Sequence, residues 1–230
     1  MALSCAVGLL LTGCSNDEVA GVVAEQSDIS PPAADESSAP PSATEEPAPP
    51  TRAVLLGDSC TAASVDGGGY VPPTAEGMGW TPVLQAVGGT GYLAPAPGSG
   101  PYGSRVDEVV AGDPDVVVVQ GSTNDVGYPV ADVATAAREL YAALAGRLPD
   151  AEVVVVGPLD PPGVDPAGVD AIRAVLAEEA GAAGLPFVDP VAGDWLGTGE
   201  GLYADPVHPN EAGYGEFATD LVGALQSAGL

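Results

Sequence analysis

The sequence predicts an α/β fold, a three-layer α/β/α sandwich around a mainly parallel sheet. Three observations predict it. Short valine-rich runs at Val54-Leu55-Leu56, residues 115–120 and Glu152–Val156 are apolar without polar alternation, which suits strands buried on both faces. Each run stops at small residues: Gly57-Asp58-Ser59, Gly121-Ser122-Thr123-Asn124-Asp125 and Gly157-Pro158. Between and after them lie stretches of helical length, and strands spaced by such helices imply right-handed crossovers.

Taken in order, the first strand ends at Gly57 and delivers Ser59 to the carboxyl edge of the sheet, where α/β ligands bind. Residues 61–82 read as loop, because Gly67-Gly68-Gly69 and Pro72-Pro73 are turn and breaker signals. A short apolar segment, residues 83–87, then leads into Gly88-Gly89-Thr90-Gly91. The four successive valines of the next strand, residues 115–120, run into the Asn124 loop. Residues 130–148, rich in Ala, Leu, Arg and Glu and stopped by Pro149, predict a helix. The valine-rich strand Glu152–Val156 follows. A helix is expected over 169–183, a short strand over 186–188 and a last helix over 211–225.

Composition narrows the function classes. With 5 arginines, no lysine and a formal charge of −27, the chain has no basic patch for phosphate backbones or anionic headgroups, so nucleic acid is not an expected partner. Eight of the acids precede Pro50, and the others are scattered as a solvated acidic surface that identifies no substrate. One histidine and no Cys-x-x-Cys pair give no transition-metal site. Gly88–Gly91 is no phosphate cradle, because no lysine follows it. Cys5 and Cys14 lie in the first fourteen residues, so Cys60 has no obvious partner and no structural disulfide is expected in the domain.

The chain divides into three parts. Residues 1–13 contain a short apolar run, too short to span a bilayer as a helix, that ends at Leu11-Thr12-Gly13-Cys14. This run resembles the lipobox of bacterial lipoproteins, although no Lys or Arg precedes it. The resemblance implies cleavage before Cys14 and lipidation of its thiol, hence an extracytoplasmic protein anchored to the bacterial membrane; a secreted soluble protein is the alternative. Residues 14–50, rich in Pro, Ala, Ser and Glu, lack the apolar surface to offset ordering and read as a disordered tether. Residues 51–230 form the globular domain.

The chemistry rests on four stretches. A serine hydroxyl is a poor nucleophile at neutral pH, so acyl transfer needs a base and a group that holds the imidazole in the right tautomer. Ser59 and His208, the only histidine, fill the first two roles. Asp205, three residues earlier on the same loop, can reach the other ring nitrogen. Taken one at a time, these residues also fit a turn serine, a capping histidine and a turn aspartate. Cys60 follows the nucleophile directly and reads as a small buried cysteine rather than a thiol catalyst.

The order of the four stretches is more specific than any one of them. Ser59 follows a first strand, Gly88-Gly89-Thr90-Gly91 comes next, Asn124 follows a valine strand, and Asp205-Pro206-Val207-His208-Pro209-Asn210 precedes Glu211-Ala212-Gly213-Tyr214. From Arg52 to Leu230 the chain resembles the SGNH hydrolases, also called GDSL esterases and lipases. The resemblance implies a flavodoxin-like SGNH fold with Ser59 as nucleophile, His208 as general base and Asp205 as its partner. It also implies an oxyanion hole made by the Ser59 N–H, a glycine N–H and the Asn124 side chain. Gly89 is the glycine chosen, with Gly88 and Gly91 as alternatives. Two positions depart from the family pattern: Ser122 stands where the third block usually has glycine, and Gln85 where the second usually has asparagine.

The activity so implied is hydrolysis of carboxylic esters with short or medium acyl groups, O-acetyl groups on glycans among them, through an acyl-enzyme and without a cofactor. An O-acyltransferase using the same site, or a catalytically silent surface lipoprotein, are the alternatives. The expected partner is a small ester or an acylated glycan or lipid, with membrane contact only through the N-terminal lipid and a monomeric chain.

Overall fold

The structure, a computed structural model, describes residues 49–197 and 201–230. The expectations for residues 1–13, for most of the tether and for Cys5 and Cys14 lie outside the described residues. Five parallel strands form the sheet: β1 (Arg52–Gly57), β2 (Thr81–Ala86), β3 (Val116–Gln120), β4 (Glu152–Val156) and β5 (Phe187–Val188). Their spatial order is β2-β1-β3-β4-β5. The connections therefore leave β1 in opposite directions, which opens a crevice between the carboxyl ends of β1 and β3. Ser59 and Asn124 follow those two ends.

The pleat explains why the valine runs show no alternation. Val54, Leu56, Val117, Val119, Val153 and Val155 point to one face, and Ala53, Leu55, Val116, Val118, Val154 and Val156 to the other. Both faces are covered by helices, so both sets are buried. On the first face lie α3 (Val106–Ala111), α4 (Val130–Arg147) and α5 (Pro166–Ala182), which contribute Val109, Leu140, Leu144, Ile172 and Leu176. On the second lie α2 (Val71–Met78) and α6 (Glu211–Ser227), which contribute Val71, Phe217, Leu221 and Leu225. The predicted three-layer sandwich with a mainly parallel sheet is the architecture observed. β2 lies at the edge of the sheet, where Pro82 costs no ladder hydrogen bond.

The clearest difference from expectation falls in residues 61–82. They contain the second half of a short helix α1 (Ser59–Ala62), all of α2 and the start of β2. Pro72 and Pro73 occupy the first turn of α2, where a missing N–H is harmless, so the proline pair starts a helix here. α5 likewise begins three residues before its expected start, with Asp165 capping Ala167 N–H and Pro166 in the first turn. A 3₁₀ turn, Tyr102–Arg105, and the six-residue α3 were not anticipated, being too short to show a period.

Candidate active site

Ser59 opens α1 immediately after β1. Asp58 caps that helix through Oδ1, which accepts from the Cys60 N–H at 2.9 Å. The chain must turn tightly here: a Cβ on Gly57 would lie 2.0 Å from Thr61 Oγ1, so only glycine fits beneath the turn. The Ser59 N–H sits in the first helical turn, where amides have no partner along the helix.

The loop before α6 brings His208 across to Ser59. His208 Nε2 lies 2.9 Å from Ser59 Oγ, and Nδ1 lies 2.8 Å from Asp205 Oδ2 and 3.1 Å from Oδ1. With Nδ1–H donating to Asp205, Nε2 is left as an acceptor for the serine proton. The loop is fixed by its own hydrogen bonds: Ala204 N–H donates to His208 O at 2.8 Å and Asn210 N–H to Leu202 O at 2.8 Å. Asn210 Oδ1 then caps α6 by accepting from Gly213 N–H. Asp205 Oδ1 also accepts the N–H groups of Val207 and His208, both at 2.8 Å. The His208 N–H, the imidazole and the Val207 N–H together lower the Asp205 carboxyl to about 2. It is therefore an anion wherever the imidazole must be oriented.

Asn124 sits in a 3₁₀ turn, Thr123–Asp125, at the end of β3. Its N–H donates to Ser122 Oγ and its Nδ2 donates to the Thr90 carbonyl, each at 3.0 Å. Ser122 Oγ in turn donates to the same carbonyl at 3.0 Å. The serine that replaces the usual glycine thus ties the Asn124 turn to the glycine-rich loop. From the other side, buried Asp125 accepts the N–H groups of Tyr92, Leu93 and Ala94 at 2.7 to 2.9 Å. Gly91 packs against that carboxylate so closely that a Cβ would lie 2.4 Å from Asp125 Oδ2.

Within the glycine run the three candidates are placed differently. Gly91 N–H donates to Ala94 O at 2.9 Å, so it is engaged inside the loop. Gly88 lies beside Ser59: a Cβ there would be 3.6 Å from Ser59 Cβ. Gly89 faces Ala96 instead, with φ of +78°. Of the two, Gly88 is the one whose Cβ position comes within contact range of Ser59.

Sequence reasoning passed over three charged groups. Asp58 is buried, and burial raises its carboxyl to about 6 against the pull of the Cys60 N–H, the Ser122 hydroxyl and the charge of His208. Asp125 is raised by burial too, opposed by its three amide donors. Arg105 is buried beneath the glycine-rich loop. Their one visible signal was rarity for Arg105, a cation in a chain with five, and adjacency to Ser59 and Asn124 for the two acids. Cys60 is a buried free thiol whose pKa burial and the Asp58 charge push well up. A thiol held protonated in this way is a poor nucleophile.

Two hollows flank the His208 loop. One, of about 60 Å³, is lined by Leu159, Asp160, Trp195, Leu196 and Tyr203. The other, of about 720 Å³, is lined by Gly67, Gly68, Pro73, Ala204, Pro209 and Tyr214.

Comparison with known proteins gives one consistent answer. Residues 55–215 match the family described as GDSL-like Lipase/Acylhydrolase. The chain is 32% identical over 189 residues to the GDSL lipase Rv0518 of Mycobacterium tuberculosis, covering 76% of this chain and 81% of that protein. Among solved structures, the lipase/acylhydrolase from Enterococcus faecalis superposes with a TM-score of 0.61 at 21% identity, over 77% of this chain and 96% of that one. The psychrotrophic esterase EstA from a Pseudoalteromonas species gives 0.61 at 16% identity, over 77% and 97%. A family two carbohydrate esterase from Clostridium thermocellum gives 0.60 at 20% identity, over 79% and 65%.

Proposed function

The chain belongs to the GDSL-like lipase/acylhydrolase family, and on that premise we propose that it hydrolyses carboxylic esters of short or medium acyl groups through an acyl-enzyme on Ser59. The observation that carries this reading is the unbroken hydrogen-bonded chain from Ser59 Oγ through the His208 ring to Asp205. As Oγ attacks the ester carbonyl, Nε2 takes its proton, and Asp205 stabilises the imidazolium that forms. The same imidazolium then protonates the departing alkoxide. Water, deprotonated by His208, attacks the acyl-enzyme and returns Ser59. The negative carbonyl oxygen would face the Ser59 N–H, the Gly88 N–H and Asn124 Nδ2, whose second hydrogen is not used by Thr90.

Charge supports neutral esters as substrates. Four of the five arginines are held by carboxylates: Arg52 by Asp113, Arg138 by Glu179, Arg147 by Asp107 and Arg173 by Asp189. The fifth, Arg105, is buried, and the chain has no lysine. No unpaired arginine on the surface is left among the described residues to attract an anionic acyl or alcohol group. A panel of aryl esters of graded chain length, run beside acetylated polysaccharides, tests the reading. Turnover that falls as the acyl chain lengthens supports it, and absence of turnover on every ester refutes it. Acyl transfer to an added sugar in place of hydrolysis would favour the acyltransferase.

We also infer that the protein is held at the bacterial membrane by a lipid on Cys14, with residues 15–50 as the spacer. The support is the Leu11-Thr12-Gly13-Cys14 run and the proline-rich composition behind it. Mass spectrometry of the mature N-terminus checks this: an acylated Cys14 is expected, and an unmodified terminus elsewhere overturns it.

A further inference from the structure

Arg105 is 6% exposed, a charge held inside the fold without a carboxylate in contact among the described residues. Removing a guanidinium from water costs several kcal/mol unless its donors are matched. Here the Nη donors are matched by backbone and by one hydroxyl, while Nε has no partner among the described residues. Nη1 donates to Gln85 O at 2.8 Å and to Gly57 O at 3.2 Å, and Nη2 donates to Gly57 O at 3.3 Å and to Thr90 Oγ1 at 2.9 Å. The plane lies over the Tyr102 ring, 5.1 Å from its centroid, and Tyr102 O–H donates to Gln120 O at the end of β3. The turn that carries Arg105 is itself fastened to the glycine loop, because Tyr102 N–H donates to Gly91 O at 2.8 Å.

These contacts meet around the active site. Gly57 is two residues before Ser59. Thr90 is two residues after Gly88, and its carbonyl is the acceptor for both Asn124 Nδ2 and Ser122 Oγ. β1 and β2 are already paired in register from Arg52 and Thr81 to Gly57 and Ala86, so the sheet does not need the guanidinium to hold that edge together. What Arg105 adds is a link between the turn before the nucleophile and the loop that carries the oxyanion donors.

We propose that Arg105 is a positioning residue for the reaction, fixing the Thr90 loop, and through it Gly88 and Asn124, relative to Ser59. The proposal rests on the ester-hydrolase reading for its kinetic consequence. Lysine keeps the charge but lacks the planar fork, so it cannot serve Gly57, Gln85 and Thr90 together. Misplacing oxyanion donors by about 1 Å costs about 10²-fold in rate.

The experiment compares wild type, Arg105→Lys, Thr90→Val and the double variant. In Arg105→Lys, kcat should fall about 10²-fold with KM within about threefold. Affinity for an arylboronic acid, which forms a tetrahedral adduct on serine, should fall in step, while affinity for an uncleavable amide analogue stays level. Thr90→Val, which also removes the Thr90 hydroxyl bond to Val87 O, should lose about tenfold, and the double variant should lose less than the product of the two single losses, because both variants cut the Arg105–Thr90 link. Amide hydrogen exchange over residues 87–94 should quicken in both single variants. The proposal is overturned if folded Arg105→Lys keeps kcat and boronate affinity within about threefold of wild type, or if the whole loss falls in KM. If Arg105→Lys does not fold, Thr90→Val decides, and wild-type kinetics there overturn the proposal. If the wild type itself turns over no ester, the hydrolase reading fails, and the exchange data still show whether Arg105 holds the loop.

Discussion

Replacing Asp58 by Asn removes a carboxyl that folding carries into a site 3% exposed. Burial, partly offset by the Cys60 N–H, the Ser122 hydroxyl and the His208 charge, raises its pKa from 3.8 to about 6. Because the folded value is the higher one, the protonated acid is the form the fold favours. Its contribution to stability is present in full below 3.8 and is lost as pH rises through about 6. A gap of about two pKa units corresponds to about 3 kcal/mol. Asn keeps an oxygen for the Cys60 N–H and carries no charge at any pH. The stability of Asp58→Asn relative to wild type should therefore grow by about 3 kcal/mol between about pH 4 and pH 8. Urea unfolding of both proteins across that range measures it, and taking the difference cancels every titration they share. A difference constant to within about 0.5 kcal/mol would refute the reasoning.

Three further outcomes are expected. Asn124→Ala should lower kcat about 10²- to 10³-fold with KM little changed and an unaltered circular-dichroism spectrum, and a loss below about tenfold would place Asn124 outside the oxyanion site. kcat/KM should climb with pH and then level off, because a general base must be unprotonated to accept the serine proton. Asp205, lowered to about 2, contributes above its ordinary value of 3.8 and is lost only as pH falls through about 2, so it should add no second limb in the accessible range. Gly57→Ala should destabilise the fold by about 1–3 kcal/mol, measurable as a lower urea midpoint, since its Cβ would meet Thr61 Oγ1 at 2.0 Å.

Much of this arrangement was legible from residues alone. Unbroken valine runs bounded by small residues marked β3 and β4, because burial on both faces removes alternation. Ser59 and His208 stood out only as part of an ordered pattern that resembles a known family, and Asn124 only through that resemblance. Residues 71–78 were not, since Pro72-Pro73 reads equally as a loop or as a first helical turn until the flanking chain is placed. The choice among Gly88, Gly89 and Gly91 was open for a related reason: which residue approaches Ser59 and which amide is already engaged are matters of three-dimensional placement. Beyond its rarity, nothing marked Arg105, because its partners at Gly57 and Gln85 lie 48 and 20 residues away. Asp125 likewise acts on amides more than 30 residues upstream.

The central claim is that Ser59, activated by His208 and Asp205, forms the covalent intermediate. The most direct measurement is intact-mass and peptide mapping after reaction with an alkyl fluorophosphonate, for wild type and Ser59→Ala side by side. One phosphonyl group on the peptide containing Ser59 in the wild type, and none in Ser59→Ala, is the predicted result. Modification at another residue, or labelling that persists in Ser59→Ala, would contradict it.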